Sequence, residues 1–131
     1  MNNIKKVALV LLKNKNKFLF YLRDDYSNIV YPNHWSLLGG GVEKKETLLQ
    51  ALKREIIEEI NYDLKKIDLI GSFKDIYGSK VYVYKSNINK KVSELRLNEG
   101  QKLKYFNSNQ LVNLKMPPVL KNFLYKHNIL N

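Results

Sequence analysis

GGGVEKKETLLQALKREIIEEINY, running from Gly39 to Tyr62, is the stretch from which the rest of this chain can be read. Its three leading glycines permit backbone conformations and close approaches that a Cβ would block. A helix-period segment follows. Glu58 and Glu59 lie three and four residues beyond Glu55, so a helix puts all three carboxylates on one stripe. Leu48, Leu49, Leu52, Ile56 and Ile60 mark an adjacent apolar stripe, which has to face a core. Packing that core draws the carboxylates into a partly enclosed place, where like charges raise one another's pKa unless a cation sits between them. Oxygen ligands alone, with no Cys or His nearby, suit Mg²⁺ or Mn²⁺. The plainer alternative is a solvated face of mixed charge, since Lys44, Lys45, Lys53 and Arg54 are close by.

The same stretch resembles the signature of the Nudix hydrolases, G-x5-E-x7-R-E-U-x-E-E-x-G-U, with U a bulky apolar residue. Gly40 opens the motif, Glu46 follows, then Arg54, Glu55, Ile56, and the pair Glu58 and Glu59 at the matching spacing. Asn61 stands where the family has Gly, and Tyr62 where it has an aliphatic residue. Asn tolerates positive φ better than any residue but Gly, so Asn61 is expected to end the helix as a substitute cap. Leu38 occupies a position that is Pro in many members. The resemblance extends more loosely to YLRDDYSNIVYPNHWSLLGGG (residues 21–41) and LNEGQKLKYFNSNQL (residues 97–111).

Composition describes an ordinary globular chain. Its 131 residues make one expected domain, residues 1–131, with 44% hydrophobic and 27% charged residues. The absence of cysteine excludes disulfides and thiolate metal sites. The longest apolar run, Val7 to Leu12, is too short to span a bilayer. Met1 to Lys6 leads into that run with no small-residue cleavage site after it, so a cytoplasmic protein without a membrane partner is expected. The net charge of +11 raises nucleic-acid binding as an alternative. However, the positive charge is nearly all lysine, spread along the chain with no basic block and no RNA-binding motif. A compositional bias toward Lys, Asn and Ile takes the larger share of the account, while a positive surface would still steer polyphosphates toward an acidic site, and RNA is a less favoured partner.

Period and turn signals place the remaining elements. Lys5–Leu12 and Lys17–Arg23 read as strands joined by a turn at Asn14-Lys15-Asn16. Asp24–His34 is a loop, and Trp35–Leu38 a short strand delivering the chain to the glycines. Thr47 is the expected N-cap of the motif helix. Lys66–Phe73, Ser79–Ser86, Val92–Leu97 and Leu103–Phe106 read as strands, with turns at Gly78 and at Asn98–Gln101. Ser108–Leu114 reads as a short helix, and Pro117-Pro118 starts the last one, whose apolar face includes Val119, Leu120, Phe123 and Leu124. His127 reads as a dipole partner at its C-terminus. The alternation supports an α/β chain. The resemblance implies a Nudix-type α/β/α sandwich, with a mixed, partly antiparallel sheet between the motif helix and a C-terminal helix.

Among the other candidate residues, Arg23 reads either as a bidentate clamp on a phosphate or as a partner of Asp24 or Asp25. Tyr31 reads as pocket wall, Trp35 as core, and His34 as a locally bonded surface residue. The resemblance implies that Glu46 pairs with Arg54 to brace the carboxylates. It also implies that Glu55, Glu58 and Glu59 hold Mg²⁺ (or Mn²⁺), with the Gly39 carbonyl as a backbone ligand. Gly39, Gly40 and Gly41, with Arg23 and Tyr31, then contact substrate. A further carboxylate is expected from a later loop, Glu99 first and Glu94 as the fallback. The activity implied is hydrolysis of a pyrophosphate bond in a nucleotide, foremost a nucleoside triphosphate, oxidised or not, giving monophosphate and pyrophosphate. The alternatives are ADP-ribose, nucleotide sugars, dinucleoside polyphosphates, the 5′ end of RNA, or a non-catalytic nucleotide sensor. A homodimer is compatible with the resemblance.

Overall fold

The structure, a computed structural model, describes residues 5–130. Strand β1 (Lys6–Asn14) is the centre of a seven-stranded sheet. Its residues alternate in side as a two-residue period requires. Ala8, Val10 and Leu12 pack into one apolar core and Leu11 into the other. One edge of β1 runs parallel to β6 (Lys80–Asn87), from Lys6 opposite Lys80 to Lys13 opposite Asn87. The other edge is shared. Its second half pairs antiparallel with β2 (Lys17–Leu22), and its first half with β4 (Leu38–Gly41).

That sharing explains why the expected strand Trp35–Leu38 divides in two. β3 (Trp35–Ser36) pairs with β2, and the chain then crosses at the buried Leu37 to pair with β1 as β4. Strand β5 (Asp68–Lys74) extends the sheet beyond β6, with a bulge between Leu69 and Gly71, and β7 (Lys102–Asn107) lies antiparallel to β2. The sheet is thus mixed, as expected.

Helix α1 (Leu48–Ile60) covers one face, and α2 (Ser108–Val112) and α3 (Pro118–Lys126) cover the other. Leu52, Ile56 and Ile60 of α1 are fully buried, each worth roughly 1.5–3 kcal/mol of transfer free energy. Leu49, placed in that stripe by period, is instead 43% exposed. Ala51 takes the buried place, because the apolar arc that meets the sheet is centred one position further round the helix. Thr47 caps α1 through a reciprocal box, its Oγ1 accepting from Gln50 N–H at 3.1 Å and its own N–H donating to Gln50 Oε1 at 2.9 Å.

The segment Val92–Leu97 is not a strand. Val92–Glu94 forms a single 3₁₀ turn, closed by Leu95 N–H to the Val92 carbonyl, and Arg96 N–H bonds to the Ile60 carbonyl. Val92, Leu95 and Leu97 pack partly buried against the α1-side core as a loop crossing it, without a strand neighbour. His127 caps α3 and lays its ring on Phe123, with centroids 4.3 Å apart.

Asn61 ends α1 with φ 55° and ψ 43°, in the left-handed region. Asn61→Ala should therefore cost about 1 kcal/mol, while Asn61→Gly should hold or slightly raise stability. Denaturant midpoints at constant m-value check both.

Candidate active site

Two of the three glycines are required by what lies against them. Gly39 has φ +139°, and a Cβ on it would stand 2.1 Å from the Ala8 carbonyl oxygen across the β1–β4 ladder. A Cβ on Gly40 would stand 2.5 Å from the carboxyl carbon of Glu55. Gly41 meets no such neighbour, and its carbonyl accepts from Arg54 Nη2 at 3.2 Å. Strand β4 thus has a bare surface against which α1 can lay carboxylates.

The α1 carboxylates divide between two environments. Arg54 donates from Nε and Nη2 to both oxygens of Glu46 at 2.7 and 3.0 Å, a bidentate pair. Its Nη1 reaches Glu55 Oε1 at 3.0 Å and Glu58 Oε2 at 3.3 Å. The guanidinium is therefore the cation that offsets these carboxylates, and it holds Glu46 below the usual carboxyl pKa. Glu55 is pushed up, chiefly by burial, in spite of Arg54. Glu59 turns the other way. It is 4% exposed, and its Oε1 accepts one hydrogen bond, from Gly39 N–H at 3.0 Å. Burial, aided by the charges of Glu55, Glu99 and Glu58, pushes its pKa up to about 8, against the opposing Gly39 bond.

Among the described residues, no three acidic or histidine side chains form a ready-made cation cage. The Arg54 pairs engage Glu55 and Glu58 separately from the buried Glu59. The chemistry of the set nonetheless fits a hard divalent cation. A buried carboxylate with one hydrogen bond has acceptor capacity to spare, and the neighbouring donors are all oxygens.

The other sequence-predicted residues fall around this centre. Glu99 lies on an exposed turn, close enough for its charge to bear on Glu55, Glu59 and Tyr21. Glu94 is used locally, its Oε1 accepting from Lys91 N–H at 2.8 Å. Arg23 makes no ion pair with Asp24 or Asp25. Its Nε donates to the Val30 carbonyl at 2.9 Å and its Nη1 to the Tyr21 hydroxyl at 3.2 Å. Arg23 and Tyr31 line a cavity of about 400 Å³ floored by Gly39, Gly40 and Gly41. The Tyr31 ring leans on His34, whose Nδ1 meets the Pro32 carbonyl at 2.8 Å, and Trp35 packs edge-on to Phe106 in the core.

Sequence reasoning missed the cavity's far wall. Asp75, Ile76 and Tyr77 from the β5–β6 turn line it, with Tyr77 70% exposed. Asp75 Oδ1 accepts from Tyr77 N–H and Ser79 N–H and so shapes that turn. The available signal was two large apolar residues in a turn, where solvent exposure is the rule.

This combination of glycine strand, arginine-braced carboxylates and open cavity is set on an α/β/α frame that other proteins share. A family model described as NUDIX domain matches residues 3–126, and the chain belongs to that family. Nucleoside triphosphatase NudI of Escherichia coli O139:H28 is 35% identical over 78 residues, which are 58% of this chain and 54% of that protein. NudI of Shigella flexneri matches to the same extent. The chain thus spans about half the length of the curated relatives it matches. The crystal structure of MutT protein from Methanosarcina mazei Go1 superposes with TM-score 0.79 at 19% identity, covering 98% of this chain and 96% of that one. A MutT NUDIX hydrolase from Burkholderia pseudomallei superposes with TM-score 0.79 at 20% identity, over 95% and 98%. These two likenesses show the fold. Among the described residues, no helix is long and apolar enough to cross a membrane.

The burial of Glu59 makes stability depend on pH. In metal-free protein the folded chain keeps this proton up to about pH 8, whereas an ordinary carboxyl loses it near 4.5. Between those values the unfolded chain binds fewer protons, so stability is greatest at the acid end and falls as pH rises. Glu59→Gln removes this dependence. The difference in Tm, variant minus wild type, should therefore grow from pH 4.5 to pH 8, and Mg²⁺ at pH 8 should raise the wild type more than the variant. A pH-independent difference in thermal scans would contradict the assignment.

Proposed function

We propose that this protein hydrolyses a pyrophosphate bond in a nucleoside triphosphate, canonical or oxidised, releasing monophosphate and pyrophosphate. The observation that carries the proposal is the buried Glu59 carboxylate bonded to Gly39, on the helix that also carries Glu55 and Glu58, with Gly39 itself lining the cavity that holds Arg23. The NudI relatives, named as nucleoside triphosphatases, support the substrate class.

In this reading Glu55, Glu58 and Glu59 hold Mg²⁺ or Mn²⁺, with Glu99 and the Gly39 carbonyl as further oxygen donors. The ion supplies positive charge to the phosphates and acidifies the attacking water. Arg54, bound to Glu46 on both carboxyl oxygens, sets the side-chain positions of Glu55 and Glu58. Arg23 offers guanidinium donors to a phosphate at the opposite wall, and Tyr31 and Tyr77 offer ring surface to a base. Water attacks phosphorus in line with the anhydride oxygen, that P–O bond breaks, and pyrophosphate leaves with its electron pair. The proton of the water passes to Glu55 or Glu99.

The test is hydrolysis with Mg²⁺ of canonical and 8-oxo nucleoside triphosphates, ADP-ribose, nucleotide sugars, dinucleoside polyphosphates and triphosphorylated RNA, assaying phosphate and pyrophosphate separately. A nucleoside triphosphate should be the best substrate, with pyrophosphate as product. Glu59→Gln should lower kcat by about a hundredfold or more, as loss of several kcal/mol of charge stabilisation requires. A preference for another member of the panel would reassign the substrate. Tight nucleotide binding with no turnover would instead make the domain a sensor.

A further inference from the structure

Residues 98–101, Asn-Glu-Gly-Gln, cross from the end of α1 to the base of the 24–34 loop. At the helix, Asn98 N–H donates to the Glu59 carbonyl at 2.9 Å and Asn98 Nδ2 to the Glu58 carbonyl at 2.6 Å. The last turn of a helix leaves carbonyls without partners, and here two of them are taken up by one side chain and its own backbone. At the loop, Gln101 N–H donates to the Leu22 carbonyl at 2.8 Å. Gln101 Nε2 donates to the Arg23 carbonyl at 2.8 Å and to Asn33 Oδ1 at 2.9 Å. A backbone carbonyl can only accept, so the orientation of the Gln101 amide is fixed, and that of Asn33 follows from it.

The connection between these anchors is tight. Gly100 has φ +86°, and a Cβ on it would lie 2.6 Å from the Tyr21 ring and 2.7 Å from the Leu22 carbonyl. Tyr21 in turn accepts from the Arg23 guanidinium. The loop that Gln101 grips is itself closed at its base, by Arg23 N–H to the His34 carbonyl at 2.8 Å and Asn33 N–H to the Asp24 carbonyl at 3.1 Å. Gln101 thus bonds to the residue that carries the cavity's guanidinium and to the residue that shuts its loop.

We propose that Asn98–Gln101 is a strap setting the position of the Arg23 loop relative to the carboxylate end of α1. Gln101 is a positioning residue for polyphosphate binding, and Asn98 is one for Glu99 and its neighbours on the helix. This rests on the function proposed above, in which a polyphosphate spans from Arg23 to the carboxylates. Misplacement of such a partner by about 1 Å can cost a hundredfold, so the two anchors have separable kinetic effects.

The variants are Gln101→Ala, Asn98→Ala, Asn33→Gly, which keeps the positive φ of 60° but loses the acceptor, and Asn33→Asp, which keeps an acceptor. Gln101→Ala and Asn33→Gly should each raise KM for a nucleoside triphosphate about tenfold with kcat within about twofold. Asn33→Asp should return KM to near the wild-type value. Asn98→Ala should lower kcat roughly tenfold and leave KM in place. Amide hydrogen exchange on the protein alone supplies a readout free of metal and substrate. Gln101→Ala should speed exchange at Arg23 and Asn33 about tenfold and leave residues 51–60 unchanged.

Unchanged exchange overturns the strap whatever the kinetics. Faster exchange with unchanged KM, or a fall in kcat and Tm together without a KM effect, reduces it to an ordinary structural tie and overturns the positioning role. Should the wild type hydrolyse nothing, the functional reading fails separately. Titration with an α,β-methylene nucleoside triphosphate then takes the place of KM, with a tenfold weaker Kd in Gln101→Ala expected and an equal Kd overturning the proposal.

Discussion

A carboxylate that is almost wholly buried and holds one hydrogen bond is the constraint around which this domain is built. Glu59 reaches Gly39 only because that glycine sits at a φ few other residues adopt, and because β4 lies within a ladder spacing of Ala8. The contact needs α1 to lie flat on the sheet, which Leu52, Ile56 and Ile60 ensure by burying completely. It also needs neighbouring charge to be managed. Arg54 does so for Glu46, Glu55 and Glu58, but it does not reach Glu59. The excess field left at Glu59 is what suits the place to a divalent cation.

Much of this arrangement was legible because it is local. The spacing of Glu46, Arg54, Glu55, Glu58 and Glu59 fixes their relation through one helix and one turn, and Asn61 announces its left-handed cap by residue type. Period alone misjudged Leu49, since it marks which residues share a face but not where the sheet meets that face. It misjudged Val92–Leu97 for a related reason. A loop laid across a core turns some of its apolar residues inward as a strand does, here Val92, Leu95 and Leu97, and the missing hydrogen-bonding neighbour tells them apart. The strap was beyond reach of any local rule, because Gln101 bonds to partners 78 and 68 residues away and Asn98 to one 40 away. The cavity's far wall was hidden likewise, Asp75–Tyr77 coming opposite Arg23 only through the order of strands in the sheet.

The positive charge of the chain is arranged differently from the site. The cavity and the α1 carboxylates hold two of its three arginines, Arg23 and Arg54, each fixed by several hydrogen bonds. The lysines are spread over the surface, where Lys65 forms a weak exposed pair with Asp63. The guanidinium groups are thus the fixed, directional cations of the fold, Arg54 holding the chain's own carboxylates and Arg23 lining the cavity. The lysines give a diffuse positive field that draws polyanions toward the protein without choosing among them.

The division of one β1 edge between β2 and β4 bears on how this domain can change over generations. With β6 on its other edge, β1 is hydrogen-bonded along nearly its whole length, so an insertion there would break several ladders at once. The 24–34 loop and the β5–β6 turn carry no such double constraint, and both line the cavity beside β4. A lineage can therefore lengthen or recolour that rim while the glycine strand and the α1 carboxylates keep their places.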